Sequence, residues 1–272
     1  MDNDRVIPMT EPTVFVAILA KQKATMLPAW LDSLSKWDYP KDKMIIYIRA
    51  NNSTDNTNEI LQEWAEANRK WYRHVVEDYR DVEEPIQDFG VHEWNPTRFK
   101  VLGAIREHSI NCAWQADVDF YWVVDVDNFV LPNTLRKMIS WNVPVVAPLL
   151  RYALAEGEEG HKPYSNYHLL TNVNGYYLDD IRYYTVLNRE IKGLIECDVV
   201  HCTYLIRKDV FDSIRYVDGT DDYEYVIFSR TLRELKIPQY LDNTQIYGHL
   251  TLYENVDACV KWMKELSEKE KM

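Results

Sequence analysis

The chain has 272 residues with 46% hydrophobic and 13% aromatic content, enough to bury a substantial core, so a disordered chain is excluded. Forty-three acidic against 31 basic residues leave a net charge of −12, which repels phosphate backbones and anionic lipid and makes nucleic acid and membrane surfaces poor partners. Four cysteines, Cys112, Cys197, Cys202 and Cys259, show no CxxC or zinc-finger spacing; free thiols are expected, with Cys197–Cys202 the one pairing left open.

The opening stretch MDNDRVIPMTEPTVFVAILAKQ lacks a basic segment followed by a long apolar one. Neither a signal peptide nor a membrane span is evident, and a cytoplasmic setting is the expectation. Its apolar run predicts a first strand over 13–20, followed by an amphipathic helix through LPAWLDSLSKW. MIIYIRA (44–50) is the second strand. In NNSTDNTNEILQEWAEANRKW a helix follows, with Ser53, Thr54 and Asp55 as candidate caps and Ile60, Leu61 and Trp64 on one face. A third strand spans 71–77, a polar acidic loop runs to about Trp94, and the next helix carries Arg98, Leu102, Ile105 and Arg106. FYWVVDV (120–126) is the fourth strand. Continuous apolar strands separated by helices predict a mostly parallel, Rossmann-like α/β sheet covered on both faces.

The second half is less regular. A strand is predicted over 143–150, then a loop at AEGEEGHKP, and a hairpin through YSNYHLLTNVNGYYL with Asn174-Gly175 at its turn. DVVHCTYLIRKDVF reads as a strand entering a helix, and TDDYEYVIFSRTLRELKI as a helix capped by Thr220 or Asp221. Val256–Lys271 is a charged terminal helix. No repeat or linker interrupts the chain. One domain is therefore expected over 1–272: a first half at about 13–150, a second at about 151–255, and the helix at 256–272.

None of the eight glycines precedes Gly90, so the first strand-to-helix turn, AILAKQKATM, has no glycine. A Walker loop and a dinucleotide fingerprint need glycine there for backbone N–H groups to approach phosphate, so both are excluded at their usual position. A diphosphate bound to this fold would need a metal for most of its neutralisation. Asp125 and Asp127 stand where the fourth strand ends, the place where open α/β sheets collect ligands. With no Lys or Arg adjacent in sequence, the two carboxylates repel unless capped, hydrated or metal-bound. One reading has Asp127 or Asn128 capping the turn before Pro132. The other has Mg²⁺ or Mn²⁺, which take oxygen from one or two carboxylates plus substrate phosphate. A haloacid-dehalogenase phosphatase also uses Asp-x-Asp, but on its first strand with Thr two residues on, where this chain has Phe129.

VVDVDNFVLPNTL, VVAPLL, YSN, GYY, VVHCTYLI, TDDYEYVIFS and YGHL occur in one order, after VFVAILAK, LPAWLDSLSKWDYPKDKM and NNSTDNTNEILQEW. In these stretches, most of residues 13–252, the chain resembles the N-terminal glycosyltransferase domain of the collagen β-galactosyltransferases. The resemblance implies a GT-A fold with a nucleotide-sugar half and a less regular acceptor half. It also implies a divalent metal, Mn²⁺ or Mg²⁺, a UDP-hexose donor (galactose, with glucose the other choice), and inverting transfer to hydroxylysine of a collagen-like protein. Members of that family enter the secretory pathway, which would imply the ER lumen. Carried over by motif, Asp125 and Asp127 bind the metal and, through it, the UDP diphosphate.

Asn51, Asn52 and Asp55 lie on the loop that usually contacts the nucleotide, with helix capping the other reading for Asp55. Arg98 and Arg106 lie on the side of the diphosphate, or else form surface salt bridges. Tyr164, Ser165 and Asn166 are expected beside the sugar or acceptor, or as an ordinary strand start. His249 stands where the family carries Phe or Tyr; GT-A enzymes often place a late His on the metal, and a structural His is the alternative. His201 stays with its motif, as a site or a core residue. Asp221-Asp222 corresponds to an acidic pair whose second member usually serves as base, so Asp222 is the expected general base and Asp221 the reserve. A different class, a non-catalytic glycosyltransferase-like binding module, remains the alternative to an enzyme. The aromatic-rich stretch Tyr176–Tyr184 could serve an oligomer interface.

Overall fold

A computed structural model describes residues 11–84, 86, 93, 95–154, 164–251 and 255–269. The loop expected at 155–163, most of the acidic loop before Trp94 and the last residues of the terminal helix lie outside them. Three parallel strands, β1 (Val14–Ala20), β2 (Met44–Ala50) and β4 (Phe120–Val124), are buried at every position except Leu19. This is why they read as continuous apolar runs. β3 (His74–Asp78) adds to the parallel edge, starting three residues later than the apolar run suggests. Residues inside the site-bearing half alternate between two cores. Val14, Val16 and Ile18 face one, and Phe15 and Ala17 face the other.

The first core is covered by α1 (Leu27–Ser35), α2 (Thr57–Asn68), α4 (Thr134–Trp141) and α7 (Val256–Lys269). The second is covered by α3 (Pro96–Gln115), α5 (Ile181–Leu187) and α6 (Glu224–Glu234). Leu61 is buried in the first core, with Ile60 and Trp64 packed against it, as the predicted helix face requires. None of the helices among the described residues is long and apolar enough to cross a membrane.

Four further strands complete an eight-stranded sheet: β6 (Val145–Pro148), β9 (Leu194–Cys197), β11 (Thr203–Arg207) and β12 (Gln239–Asp242). Its order is β3-β2-β1-β4-β11-β6-β12-β9. The parallel run stops at β11, which is antiparallel to both β4 and β6, and β9 is antiparallel to β12. Beside this sheet lies a small one that local pattern does not announce, β5 (Asn128–Val130), β13 (Gly248–Leu250) and β7 (Leu150–Tyr152), in the order β5-β13-β7. Gly248 makes it possible, because a Cβ there would sit 1.9 Å from the Phe129 carbonyl oxygen. β8 (Tyr167–His168) pairs with β10 (Val199–Val200), and the expected hairpin is reduced to a bridge between Thr171 and Tyr177 around the turn at Gly175. All four cysteines are free thiols.

Candidate active site

The turn after β4 is closed by the Asn128 amide, which donates to the Asp125 carbonyl at 2.9 Å, and the Asp125 amide donates to the Cys202 carbonyl at 3.1 Å. Trp30 of α1 donates its indole N–H to the Asn128 carbonyl (2.9 Å), and the Asn128 side chain donates to Thr203 Oγ1 (2.7 Å). Backbone and neighbours therefore hold the turn, leaving both aspartate carboxylates for other partners. Arg106 Nη2 lies 2.8 Å from Asp125 Oδ1, and Lys23 Nζ lies 3.2 Å from Asp127 Oδ2. The expectation of no cation beside the pair holds only in sequence: one arrives from α3 and the other from the glycine-free first turn.

Arg106 is 4% exposed and also faces Glu224 (Nε to Oε1 3.7 Å), while its Nη1 has no hydrogen-bond partner among the described residues. Burial pushes the Asp125 carboxyl up, Arg106 opposes this, and Asp127 adds to it; the net direction is upward. Burial likewise raises Glu224 against the pull of Arg106. One guanidinium thus sits between two carboxylates, one on the Asp-x-Asp turn and one opening α6.

The first two strand-to-helix turns are bound together edge to edge. The Gln22 amide donates to Ser53 Oγ (3.2 Å), the Lys23 amide to Thr57 Oγ1 (2.7 Å) and the Ala24 amide to Asp55 Oδ2 (3.0 Å). Asp55 Oδ1 also accepts from the amide of Thr57, the first residue of α2, whose N-cap position is Asn56 without a side-chain cap. Burial raises the Asp55 pKa but these bonds outweigh burial and lower it. Asn51 is buried and donates to Asn52 Oδ1, and Asn52, with φ 48°, anchors the 81–82 loop through Asp81 and Val82. Arg98 Nη1 donates to the Glu93 carbonyl, and Arg98 lowers the pKa of Lys21 after burial has done so. Lys21, Lys23 and Arg98 make this edge cationic, as a diphosphate would require. The signal for the lysines was available in AKQK, a turn rich in cations where glycine is missing.

The acidic pair differs from expectation. α6 begins at Glu224, with Tyr223 at the N-cap position and no side-chain cap, so neither Thr220 nor Asp221 caps it. Asp222 accepts from Tyr176 Oη (2.5 Å) and Arg230 Nη1 (2.7 Å). Burial raises its pKa, and these two donors overcome that and hold the carboxyl below its ordinary range. Asp221 points outward to Lys100 at 2.5 Å, with 66% of its side chain exposed.

In the sequence, Ser165, Asn166 and His249 are each open to a structural reading. Ser165 and Asn166 are fully buried: Ser165 Oγ donates to the Leu150 carbonyl, and Asn166 donates to the carbonyls of Pro148 and Thr203 while accepting from the Leu150 amide. They join β6, β7 and β11 and have no surface for a sugar; only Tyr164 of that trio reaches a cavity. His249 lies on β13 opposite Phe129, its ring 5.7 Å from that of Trp262, and the Thr251 amide two residues on donates to the Asp127 carbonyl. Among the described residues no three His, Cys, Asp or Glu side chains gather as a metal cluster. Asp125 and Asp127, with side chains 26% and 29% exposed, present oxygen donors of the hard kind. That set fits a divalent ion whose remaining ligands come from substrate phosphate and water.

Comparison with known proteins places this geometry. The family model described as "Glycosyltransferase family 25, N-terminal domain" matches residues 11–265. Procollagen galactosyltransferase 2 of Mus musculus is 32% identical over 93% of this chain and 42% of its own length. A human protein named inactive glycosyltransferase 25 family member 3 is 27% identical over 89% of this chain and 41% of its length. This chain therefore spans less than half of the curated relatives it matches. Among solved structures, S. aureus TarS 1–349 in complex with UDP-GlcNAc is similar with TM-score 0.54 and 14% identity, covering 88% of this chain and 58% of that one. The mannosyltransferase PcManGT of Pyrobaculum calidifontis, in complex with GDP-Man and Mn²⁺, gives TM-score 0.52 and 15% identity over 90% and 58%. The fold is that of GT-A glycosyltransferases.

Proposed function

The chain belongs to glycosyltransferase family 25, and from that premise we propose that it moves a hexose from a UDP-sugar to an acceptor hydroxyl with inversion, galactose to hydroxylysine of a collagen-like protein being the favoured pair. The observation that carries this is Arg106, which touches Asp125 on one side and Glu224 on the other. It puts the Asp-x-Asp turn and the segment bearing Asp222 within the span of one side chain. Procollagen galactosyltransferases among the relatives support the donor and acceptor class.

Asp125 and Asp127 would hold Mn²⁺ or Mg²⁺, which when bound offsets the charge that the departing diphosphate develops. Lys23, already beside Asp127, bears on the same anion from the first turn, and Lys21 and Arg98 extend the positive edge. Arg106 keeps Asp125 oriented from within the core. Asp222 receives the proton of the acceptor hydroxyl as its oxygen attacks C1 opposite the leaving UDP. With its pKa held low it is ionised at neutral pH and available to accept, and Arg230 and Tyr176 fix where it points.

A family relative named inactive favours one other reading, a binding module that keeps the donor site without turnover. A UDP-release assay over a panel of UDP-sugars with Mn²⁺, with and without a hydroxylysine-containing collagen-like peptide, decides between them. Release stimulated by the peptide is the expected result. No release from any donor, with Mn²⁺–UDP binding intact by calorimetry, establishes the module instead.

A further inference from the structure

Both aspartates of the Asp-x-Asp turn already face a cation of the protein, and the two cations are held in different ways. Arg106, 2.8 Å from Asp125, is 4% exposed, lies 3.7 Å from Glu224 as well and is held in the core. Lys23, 3.2 Å from Asp127, is nearer the surface: its side chain is 18% exposed and that of Asp127 29%. A lysine ammonium is a compact charge on a flexible stem, whereas a guanidinium is a planar fork fixed by its partners. Lys23 is therefore the cation that can leave.

Its backbone is pinned. The Lys23 amide donates to Thr57 Oγ1 (2.7 Å), the Ala24 amide to Asp55 Oδ2 (3.0 Å), and the Lys23 carbonyl accepts from the amides of Met26 and Leu27 (both 3.0 Å). Just before it, Gln22 takes a left-handed conformation (φ 54°), and its side-chain oxygen accepts from the Thr54 amide (2.5 Å). Across the pair, the Asp127 carbonyl accepts from the Thr251 amide (3.1 Å). The ion pair thus joins two fixed main chains, and breaking it takes only the rotation of a side chain. The Lys23 charge also reaches the other aspartate. Burial pushes the Asp125 carboxyl up, and Lys23 is one of the cations, after Arg106, that pull it down.

We infer that Lys23 is a charge relay between metal and nucleotide: it holds Asp127 neutral ahead of the ion and turns to the donor's diphosphate once the ion takes that carboxylate, so that the two ligands bind cooperatively. The reason is charge. Two carboxylates facing Arg106 and Lys23 are already matched, so a divalent ion alone gains Asp127 only by breaking an ion pair and standing close to an ammonium. A diphosphate removes both obstacles, because it draws the ammonium to itself and lends oxygen ligands to the ion. Each ligand then raises the affinity for the other by the same factor, since coupling between two bound ligands is reciprocal. The glycine-free first turn acquires a purpose here. Where glycine would let backbone N–H groups approach phosphate, AKQK supplies a lysine that the second aspartate keeps in place. The inference rests on the metal-dependent reading proposed above.

The test is Mn²⁺ binding followed by the electron paramagnetic resonance signal of the free ion, without and with saturating UDP, and with no acceptor or turnover. In the unaltered chain UDP should tighten Mn²⁺ binding about tenfold or more. Lys23→Met keeps the stem and removes the charge. It should bind Mn²⁺ alone about threefold or more tighter than the unaltered chain, and the tightening by UDP should fall about fivefold or more. Lys23→Arg keeps the charge and should keep the coupling. Both variants alter a partly exposed side chain and should leave the melting curve unchanged. A Lys23→Met chain that binds Mn²⁺ alone no more tightly, or that keeps the full effect of UDP, overturns the inference; so does a Lys23→Arg chain that loses the effect as Lys23→Met does. No Mn²⁺ binding by the unaltered chain, with or without UDP, removes the metal reading of the site and this inference with it. Mn²⁺ and UDP binding that Lys23→Met leaves unchanged removes the inference alone.

Discussion

Replacing Asp222 by asparagine keeps the shape of the side chain and removes its charge and its proton affinity. Two contacts change. The Tyr176 hydroxyl (2.5 Å) can still donate to the amide oxygen, but the amide nitrogen then faces Arg230 Nη1 (2.7 Å), a donor against a donor. A hydrogen bond to a charged group contributes ~1.5–3 kcal/mol when buried. Arg230 retains Asp218 at 2.6 Å and the site is partly solvated, so the stability loss should be about 1 kcal/mol. Loss of a general base lowers rate by roughly 100- to 10,000-fold, equivalent to about 3–5 kcal/mol in the transition state. The chemical effect is therefore the larger, and it falls on transfer alone. Calorimetry with Mn²⁺ and UDP should give an affinity within about twofold of the unaltered chain, while peptide-stimulated UDP release falls by at least about 100-fold. Asp221→Asn disturbs only a surface pair with Lys100, and such pairs contribute little. If Asp221→Asn abolishes transfer while Asp222→Asn is active, the wrong carboxylate has been chosen.

Five other outcomes are expected. Asp127→Asn should raise the Mn²⁺ concentration needed for UDP binding by about tenfold or more with an unchanged melting temperature; His249→Ala should shift the same calorimetric titration if the imidazole reaches the ion, and a normal titration with a lowered melting temperature assigns it to the contact with Trp262. Gly248→Ala drives a methyl into the Phe129 carbonyl and should cost about 2 kcal/mol or more in chemical denaturation, because backbone must move. Arg106→Gln leaves Asp125 and Glu224 without their shared cation and should destabilise by roughly 3–5 kcal/mol at pH 7, the loss shrinking as pH falls and the carboxylates take up protons. His168 has a folded pKa of about 4 against 6.5 unfolded, so the stability it contributes is full above 6.5 and is lost as pH falls toward about 4; relative to His168→Gln, the unaltered chain should lose stability between pH 7.5 and 4.5.

The half of the fold that was legible is the half buried on both faces. β1, β2 and β4 announce themselves because every position but Arg49 is apolar, and Asp125 and Asp127 stand out as the first charges after the β4 run. β5, β7 and β13 were not legible, since three residues cannot show a period of two, and α5 was hidden in a tyrosine-rich stretch that reads as surface. The start of α6 was misplaced for an electrostatic reason. Thr220, Asp221 and Asp222 have the composition of a cap, but Arg230, one face of the same helix, draws Asp218 and Asp222 to itself and Lys100 draws Asp221. The partners of the Asp-x-Asp pair were out of reach for the same reason: Lys23 is 104 residues from Asp127. Ser165 and Asn166 look like site residues by motif, yet their burial makes them structural.

Arg106 explains why the acidic turn and the base-bearing segment belong to one machine. A lone buried guanidinium between two carboxylates is costly unless both remain charged, and burial presses each of them toward protonation. A divalent ion arriving at Asp125 would compete with Arg106 for the same oxygens, and Glu224 is the acceptor to which the guanidinium can then lean without leaving the core. Its Nη1, without a hydrogen-bond partner among the described residues, gives it a further hydrogen bond to make in that position. Because Glu224 opens α6 and lies two residues after Asp222, a shift of Arg106 on metal binding would be felt at the segment that carries the proposed base. On the proposed mechanism, donor occupancy and the alignment of Asp222 would then be coupled through one side chain, and Glu224→Gln, which keeps the volume but weakens that second hold, should separate them.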